Sequence, residues 1–307
     1  MQRRGFGKTG LEVSMLGFGG APVGFLETEQ IEVAELLNKL LDQGVNLIDT
    51  AAGYDGSEEM IGKTIGHRRD EYILVSKCGR AMDGVAGEAW SAEVIDNTLD
   101  RALRRLRTDY LDVMLLHSCE LEVLLQGEAV GALVRARDAG KIRFLGYAGD
   151  NEAAAYAAGL DDVAVIETSI SICDQSNIEN VLTPCQKNNV GTIAKRSIAN
   201  AAWKDISEQR GMYVNYAVTY GQRLAAMAIT PEDLGHSADA WPEIALRFTL
   251  SQPGLSCAIV GTTKASHVAT NLAAAAKGPL LADEVAALRA AFQKAEAVAG
   301  ETWLGQT

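Results

Sequence analysis

The sequence predicts an α/β protein folded as a (β/α)8 TIM barrel, with an N-terminal β-hairpin plug and an extra C-terminal helix. Eight short β-branched or apolar runs recur along the 307 residues, at 14–20, 45–50, 72–77, 110–117, 141–147, 162–168, 190–195 and 256–261. Amphipathic or alanine-rich segments separate them, at 28–43, 57–66, 91–107, 122–139, 151–159, 177–188, within 205–251, and at 264–276. Strands alternating with helices imply a parallel sheet, and near-continuous apolar runs imply strands buried on both faces. Eight such units in about 260 residues fit a closed barrel better than an open sheet.

The elements carry their own punctuation. Ser91 precedes Glu93 and Asp96 where a helix should start, and Gly44 and Gly140 stand where helices should stop. Gly5-Phe6-Gly7-Lys8-Thr9-Gly10 matches G-x-G-x-x-G, but only four residues precede it and a short alternating strand, Leu11–Ser14, follows. A dinucleotide fingerprint must follow a buried strand and open a helix. The motif is therefore a hairpin turn that plugs one end of the barrel. A helical segment at 281–299 packs outside and leads into Glu301-Thr302-Trp303-Leu304. No linker divides the chain, so residues 1–307 are expected to form one domain.

Apolar residues make up 48% and charged residues 22%, enough for a substantial core. The net charge of −12 withholds the positive field that nucleic acid or an anionic membrane requires, so the expected partners are small molecules. Oligomeric state is not legible. The five cysteines are scattered without C-x-x-C spacing, which argues against a disulfide framework or a metal site and for a reducing compartment. Cys78, beside Lys77, is read as a small hydrophobe rather than a reactive thiol. No apolar h-region follows the first residues and no apolar run is long enough to span a membrane, so the chain reads as cytoplasmic.

Barrel chemistry gathers at the carboxyl ends of strands. The second predicted strand ends at Asp49 and its loop presents Tyr54; the third ends at Lys77 and the fourth at His117. Each residue alone has a plain structural reading, but a carboxylate, phenol, amine and imidazole on successive strands suit acid–base chemistry. Tyrosine, with a pKa of about 10, needs tuning to move protons near neutrality. An ammonium from Lys77 should lower it, Asp49 should hold Lys77 charged, and His117 should orient a carbonyl. Hydride must come from a bound cofactor, since no side chain supplies it.

The chain resembles the aldo-keto reductase superfamily over essentially its whole length. The stretches that carry the resemblance are Leu16–Gly20, Gly44–Ala51 with Tyr54, Ser57–Glu59 before Ile61-Gly62-Lys63, Val75–Lys77, Leu103–Leu106 through Asp109–Asp112 to Leu116-His117, and Gly140–Arg143. The resemblance implies a catalytic tetrad of Asp49, Tyr54, Lys77 and His117, and NADP(H) extended over the barrel mouth, with NAD(H) as the alternative. Gly20 falls among the residues assigned to the cofactor.

The pattern departs from the family at the nicotinamide end. Ala148-Gly149 stand in place of a Ser-Asn pair, Glu167 in place of a glutamine, and Lys195-Arg196-Ser197 in place of a stacking aromatic. Lys195 and Arg196 are assigned to the cofactor pyrophosphate. At the adenosine end the run Gly261-Thr262-Thr263-Lys264, followed by His267 and Asn271, keeps Thr262 and Asn271 but has Gly261 for lysine and His267 for arginine. Lys264 is then the cation left for a 2′-phosphate, at a helix N-terminus suited to anions.

Trp90 and Trp203 are assigned to the substrate pocket, with Phe25 and Trp303 as further walls and Trp241 as packing. The segments Gly19–Pro22 and Lys77–Gly79 are similar to aldose-dehydrogenase-like branches. The expected activity is oxidoreduction between nicotinamide and an aldehyde, ketone or sugar, or the matching alcohol. Two alternatives stand beside it: a Schiff-base lyase using Lys77, and a weakly catalytic nucleotide-binding regulatory module.

Overall fold

The computed structural model describes residues 1–25, 29–209 and 213–306, apart from the side chain of Phe25. Its first two strands, β1 (Arg3–Gly5) and β2 (Glu12–Ser14), form an antiparallel hairpin. The next eight close into a parallel barrel in sequence order, with the last against the first. They are β3 (Leu16–Gly19), β4 (Leu47–Asp49), β5 (Ile73–Cys78), β6 (Leu111–His117), β7 (Ile142–Ala148), β8 (Val163–Ser169), β9 (Gly191–Lys195) and β10 (Cys257–Val260). All eight coincide with the predicted runs.

Side-chain alternation sorts the barrel into layers. Leu47, Val75, Val113, Leu115, Val165 and Ile193 fill the interior. Each inward row continues two residues further, and there it turns polar: Asp49 after Leu47, Lys77 after Val75, His117 after Leu115, Glu167 after Val165, Lys195 after Ile193. The polar layer lies at the carboxyl ends of the strands. Phe6 and Val13 of the hairpin join the apolar cluster at the other end. There Lys8 Nζ donates to the Asp161 carbonyl at 2.7 Å, and the Arg4 guanidinium donates to the carbonyls of Leu250 and Leu255, both at 2.9 Å. Gly7 has φ +57°, and a Cβ on it would lie 2.2 Å from Gly191 N, so this turn packs against the end of the barrel as a plug.

Helices cover the outside. In Gln30–Asp42, Val33, Leu36, Leu37, Leu40 and Leu41 make one buried face, each worth about 1.5–3 kcal/mol of apolar burial. Ser91 caps Ala92–Leu106, its hydroxyl accepting from Val94 N at 3.3 Å, and Gly44 and Gly140 follow helix ends with φ of +82° and +76°. The helix expected over 122–139 is two, Leu121–Gln126 and Glu128–Asp138, broken at Gly127 with φ +77°. The stretch within 205–251 likewise resolves into helices Tyr213–Met227 and Trp241–Leu250. The C-terminal helix Ala282–Ala299 packs through Leu288, Phe292 and Ala295, and Trp303 then meets Phe292 edge-to-face at 5.1 Å. Among the described residues no helix is long and apolar enough to cross a membrane.

A polar cleft of about 480 Å³ opens at the hairpin end, lined by Asn46, Arg69, Tyr110, Asp112 and Arg143. Asp112 binds both cations, Arg69 at 2.6 Å and Arg143 at 2.8 Å. The cleft lies away from the polar layer and shares no residue with it.

Candidate active site

The polar layer is organised around Lys77, which is 1% exposed. Its ammonium lies 2.5 Å from Asp49 Oδ1, donates to the Thr50 carbonyl at 3.0 Å, and stands 3.2 Å from Glu167 Oε2. Burying an ammonium costs several kcal/mol unless it is paired, and here it has two carboxylates. The contact to Glu167 is close in distance but lacks hydrogen-bond direction: buried Glu167 Oε2 accepts no hydrogen bond among the described residues. Gly20 lets the chain pass close over Asp49. Its N–H donates to the Asp49 carbonyl at 2.7 Å, and a Cβ would come within 2.8 Å of that oxygen. Gly20 thus serves packing beside Asp49.

Tyr54 lies over this pair, its ring centroid 5.1 Å from Lys77 Nζ. The His117 ring meets it edge-on at 5.8 Å. The four residues assigned to the tetrad therefore share one mouth, and Glu167 joins them directly. Arg80 Nε donates to the His117 carbonyl at 2.9 Å and adds a cation nearby.

Burial dominates the electrostatics. It pushes the Tyr54 phenol up to about 12, outweighing the pull of Lys77. The ammonium does pull the tyrosine down, as expected, but the net shift is upward, because removing a phenolate from water costs more than one paired ammonium returns. Burial alone would drop the Lys77 ammonium, yet Asp49 and Glu167 reverse it and hold the proton on nitrogen. Burial and the charge of Glu167 raise Asp49 well above the usual carboxylate range. Burial, then Lys77, Arg80, Lys195 and Arg196, push His117 well below its ordinary value, so its imidazole is neutral.

The far side of the mouth carries a second charge cluster. Asp150 Oδ2 lies 2.9 Å from Lys195 Nζ and 3.7 Å from Arg196 Nη1. Arg196 also donates to Ser169 Oγ at 2.5 Å and to the Gln306 carbonyl, and its guanidinium stacks on Tyr216 at 3.8 Å. The Ser197 hydroxyl donates to the Ile259 carbonyl at 2.7 Å inside the barrel wall. Lys195 and Arg196, assigned to the pyrophosphate, and Ser197, assigned to the cofactor, thus each have partners within the protein. Their polar groups are engaged by Asp150, the barrel wall and the C-terminal tail.

The tail is fastened along its length. Arg223 Nη2 donates to the Leu304 carbonyl at 2.9 Å, Asn151 exchanges bonds of 3.0 and 2.8 Å with the Gly305 backbone, and Gln306 N donates to Asp174 Oδ2 at 3.1 Å. Tyr220 Oη donates to the same Asp174 oxygen at 2.8 Å. Burial pushes Asp174 up to about 7.

At the adenosine end, Thr262 Oγ1 lies 3.2 Å from His267 Nδ1 and accepts from Lys264 N at 3.1 Å. Helix Ala265–Ala276 begins there without a side-chain cap, next to exposed Lys264 and His267, while Asn271 shares a narrow crevice with Thr262. Thr263 lies beside them, half-buried. A Cβ on Gly261 would come within 2.7 Å of Pro22 and 2.8 Å of the Gly19 carbonyl, so a lysine there has no room. An uncapped helix start with an adjacent cation fits a phosphate-bearing ligand.

The tryptophans divide. Trp90 lies against Gly79, where a Cβ would come within 2.4 Å of its ring, and Trp203 stacks on Trp241 with centroids 6.3 Å apart. Both are half-buried. Trp303 is 6% exposed and packs on Phe292, so it is no pocket wall, and the Phe25 side chain lies outside the described residues. Cys78 is fully enclosed, its thiol pushed up by burial. Sequence reasoning missed Asp150, Asp174, Tyr213 and Tyr216. Tyr213, near Tyr54, is also pushed up by burial. Spacing of three places Tyr213 and Tyr216 on one helix face, but nothing local says that this face looks into the mouth.

The aldo/keto reductase family model matches residues 15–293. L-galactose dehydrogenase of Arabidopsis thaliana is 27% identical over 288 residues, 89% of this chain and 88% of that protein. The uncharacterized oxidoreductase YqkF of Bacillus subtilis is 27% identical over 94% of this chain and 96% of its own length. Among solved structures, aldo-keto reductase AKR11C1 of Bacillus halodurans in its holo form superposes with a TM-score of 0.79 at 25% identity, covering 95% of this chain and 96% of that one.

Proposed function

This chain belongs to the aldo/keto reductase family, and from that premise we propose that it transfers a hydride between NADP(H) or NAD(H) and a small carbonyl or alcohol, with Tyr54 as general acid and base. The observation that carries the reading is the seat of Tyr54, whose ring is 5.1 Å from the Lys77 ammonium and 5.8 Å from the His117 ring. The bound cofactor supplies or accepts the hydride. In reduction the Tyr54 hydroxyl gives its proton to the carbonyl oxygen, and in oxidation it takes the proton from the alcohol. Neutral His117 hydrogen-bonds that oxygen and fixes its approach. Asp49 and Glu167 keep Lys77 charged, and Lys77 stabilises the phenolate left when Tyr54 gives up its proton.

The residues that would hold the cofactor phosphates are Thr262, Lys264, His267 and Asn271, at and after the start of helix Ala265–Ala276. With Gly261 excluding a lysine, Lys264 decides whether a 2′-phosphate is accepted. A sugar or its lactol is the favoured substrate class, supported by the likeness to L-galactose dehydrogenase and by the half-buried Trp90 and Trp203. The Schiff-base alternative loses ground, because an ammonium between two carboxylates is a poor nucleophile.

Titration of the purified protein with NADPH and with NADH, followed by protein fluorescence, tests this reading. Saturable binding of either supports it, and a Lys264→Ala loss confined to NADPH assigns the 2′-phosphate. Folded protein that binds neither contradicts it.

A further inference from the structure

We propose that the polar cleft at the hairpin end of the barrel is a ligand site of its own, taking a small polyhydroxylated metabolite that bears a phosphate or a carboxylate. The site lies at the opposite end from the mouth and goes beyond the oxidoreductase reading without resting on it. The cleft encloses about 480 Å³, room for a small organic ligand rather than a lone inorganic anion. It is built on the amino ends of four neighbouring strands. Asn46 and Tyr72 directly precede β4 and β5, Asp112 and Arg143 are the second residues of β6 and β7, and the hairpin adds Arg3.

Most polar groups of the cleft are already spent, which singles out those that are not. Asp112, 2% exposed, accepts from Arg69 at 2.6 Å, from Arg143 Nη1 at 2.8 Å and from Leu74 N at 2.9 Å. Arg69 gives its other donors to Thr108 and to the carbonyls of Tyr72 and Tyr110. Glu71 is taken by Arg68, at 2.9 and 2.6 Å. Two guanidinium groups keep donors to spare. Exposed Arg3 makes no ion pair or side-chain hydrogen bond among the described residues, and exposed Arg143 puts only Nη1 on Asp112. The Tyr72 hydroxyl, on a residue 4% exposed, has no hydrogen-bond partner among the described residues. Asp70 is the lining carboxylate that no cation answers there. Guanidinium groups match an oxyanion, whereas a carboxylate and a phenol suit hydroxyls. An oxyanion alone would meet Asp70 as a like charge. Hydroxyls beside the oxyanion make that same carboxylate a hydrogen-bond acceptor.

Calorimetric titration of the purified protein with glucose 6-phosphate, gluconate, inorganic phosphate and sorbitol tests the assignment. Glucose 6-phosphate or gluconate should bind saturably and about tenfold or more tighter than sorbitol, and the tighter of the two separates a phosphate ligand from a carboxylate one. Arg3→Ala, which strands no carboxylate, should weaken that binding by about tenfold. Arg143→Gln, which leaves Arg69 on Asp112, should weaken it by as much or more. Lys264→Ala, at the carboxyl end of the barrel, should leave it within about twofold of wild type. Should Arg143→Gln fail to fold, Arg3→Ala and the charge-reversing Arg3→Glu decide. Unchanged binding in the arginine variants, binding lost in Lys264→Ala, or no binding of either organic anion by folded wild type overturns the proposal. Inorganic phosphate that binds as tightly as the better organic anion also overturns it, since the hydroxyls then contribute nothing. Each of these outcomes is read separately from the NADPH and NADH titrations, which probe the other end of the barrel.

Discussion

The Lys77 ammonium stands 5.1 Å from the centre of the Tyr54 ring, yet the phenol it faces is pushed up to about 12 by burial. The pair is thus set as a charged lysine beside a protonated tyrosine throughout the neutral range. With Tyr54 as the proton donor, kcat/KM for carbonyl reduction should stay level from neutral pH up to about pH 10 and fall as Tyr54 ionises towards 12. Alcohol oxidation needs the proton removed and should rise with pH over the same interval. Profiles in both directions check this, and a reduction limb that falls near pH 7 contradicts it.

Lys77 is also a structural cation. Lys77→Met leaves Asp49 and Glu167 buried without an ammonium and should cost about 3–5 kcal/mol in urea unfolding. Adding Glu167→Gln removes one stranded carboxylate, so the double variant should be more stable than Lys77→Met alone. Strictly additive losses contradict the shared-ammonium arrangement.

Asp174 gives a stability prediction with a defined sign. Burial pushes its carboxyl up to about 7, against about 3.9 in an unfolded chain. Between those values the folded protein holds a proton that the unfolded chain releases, so this group's contribution to stability falls as pH rises from about 4 to 7. Asp174→Asn removes that dependence. Its unfolding free energy should gain on wild type between pH 5 and pH 8, and parallel curves contradict the shift.

The tail is held by a buried anchor. Trp303 is 6% exposed, packs edge-to-face on Phe292 at 5.1 Å and lies under the Arg223 guanidinium, so Trp303→Ala should cost about 3–5 kcal/mol. Loosening the tail also removes the Gln306 carbonyl from Arg196 beside the mouth. A loss under about 1 kcal/mol in thermal or urea unfolding contradicts this anchoring role.

The barrel was legible because each strand is a compact apolar run and most helices end at a glycine or a cap, features that sit within a few residues of one another. The break at Gly127 was not, since the apolar rows of Leu121–Gln126 and Glu128–Asp138 run on across it. In the site, Asp49, Lys77 and His117 could be found as strand ends. Glu167 was noticed as a departure at its own position, but its ion pair with Lys77 depends on which way β8 faces, and parity with Val165 supplies that only once the barrel is closed. Lys195 and Arg196 read as free cations because their partners are distant in sequence: Asp150 lies 45 or more residues earlier and Gln306 110 residues later than Arg196.

Hydride transfer itself gives the most direct test of the central claim. The protein is supplied with reduced nicotinamide carrying deuterium at the transferring carbon and a panel of aldoses and aldehydes, and the alcohol products are analysed by mass spectrometry. One deuterium on the carbinol carbon is expected, with the rate in Tyr54→Phe lowered by about 10²–10⁴ and its cofactor affinity within twofold of wild type. Absence of labelled product from wild type that binds the cofactor, or an unchanged rate in Tyr54→Phe, contradicts the account.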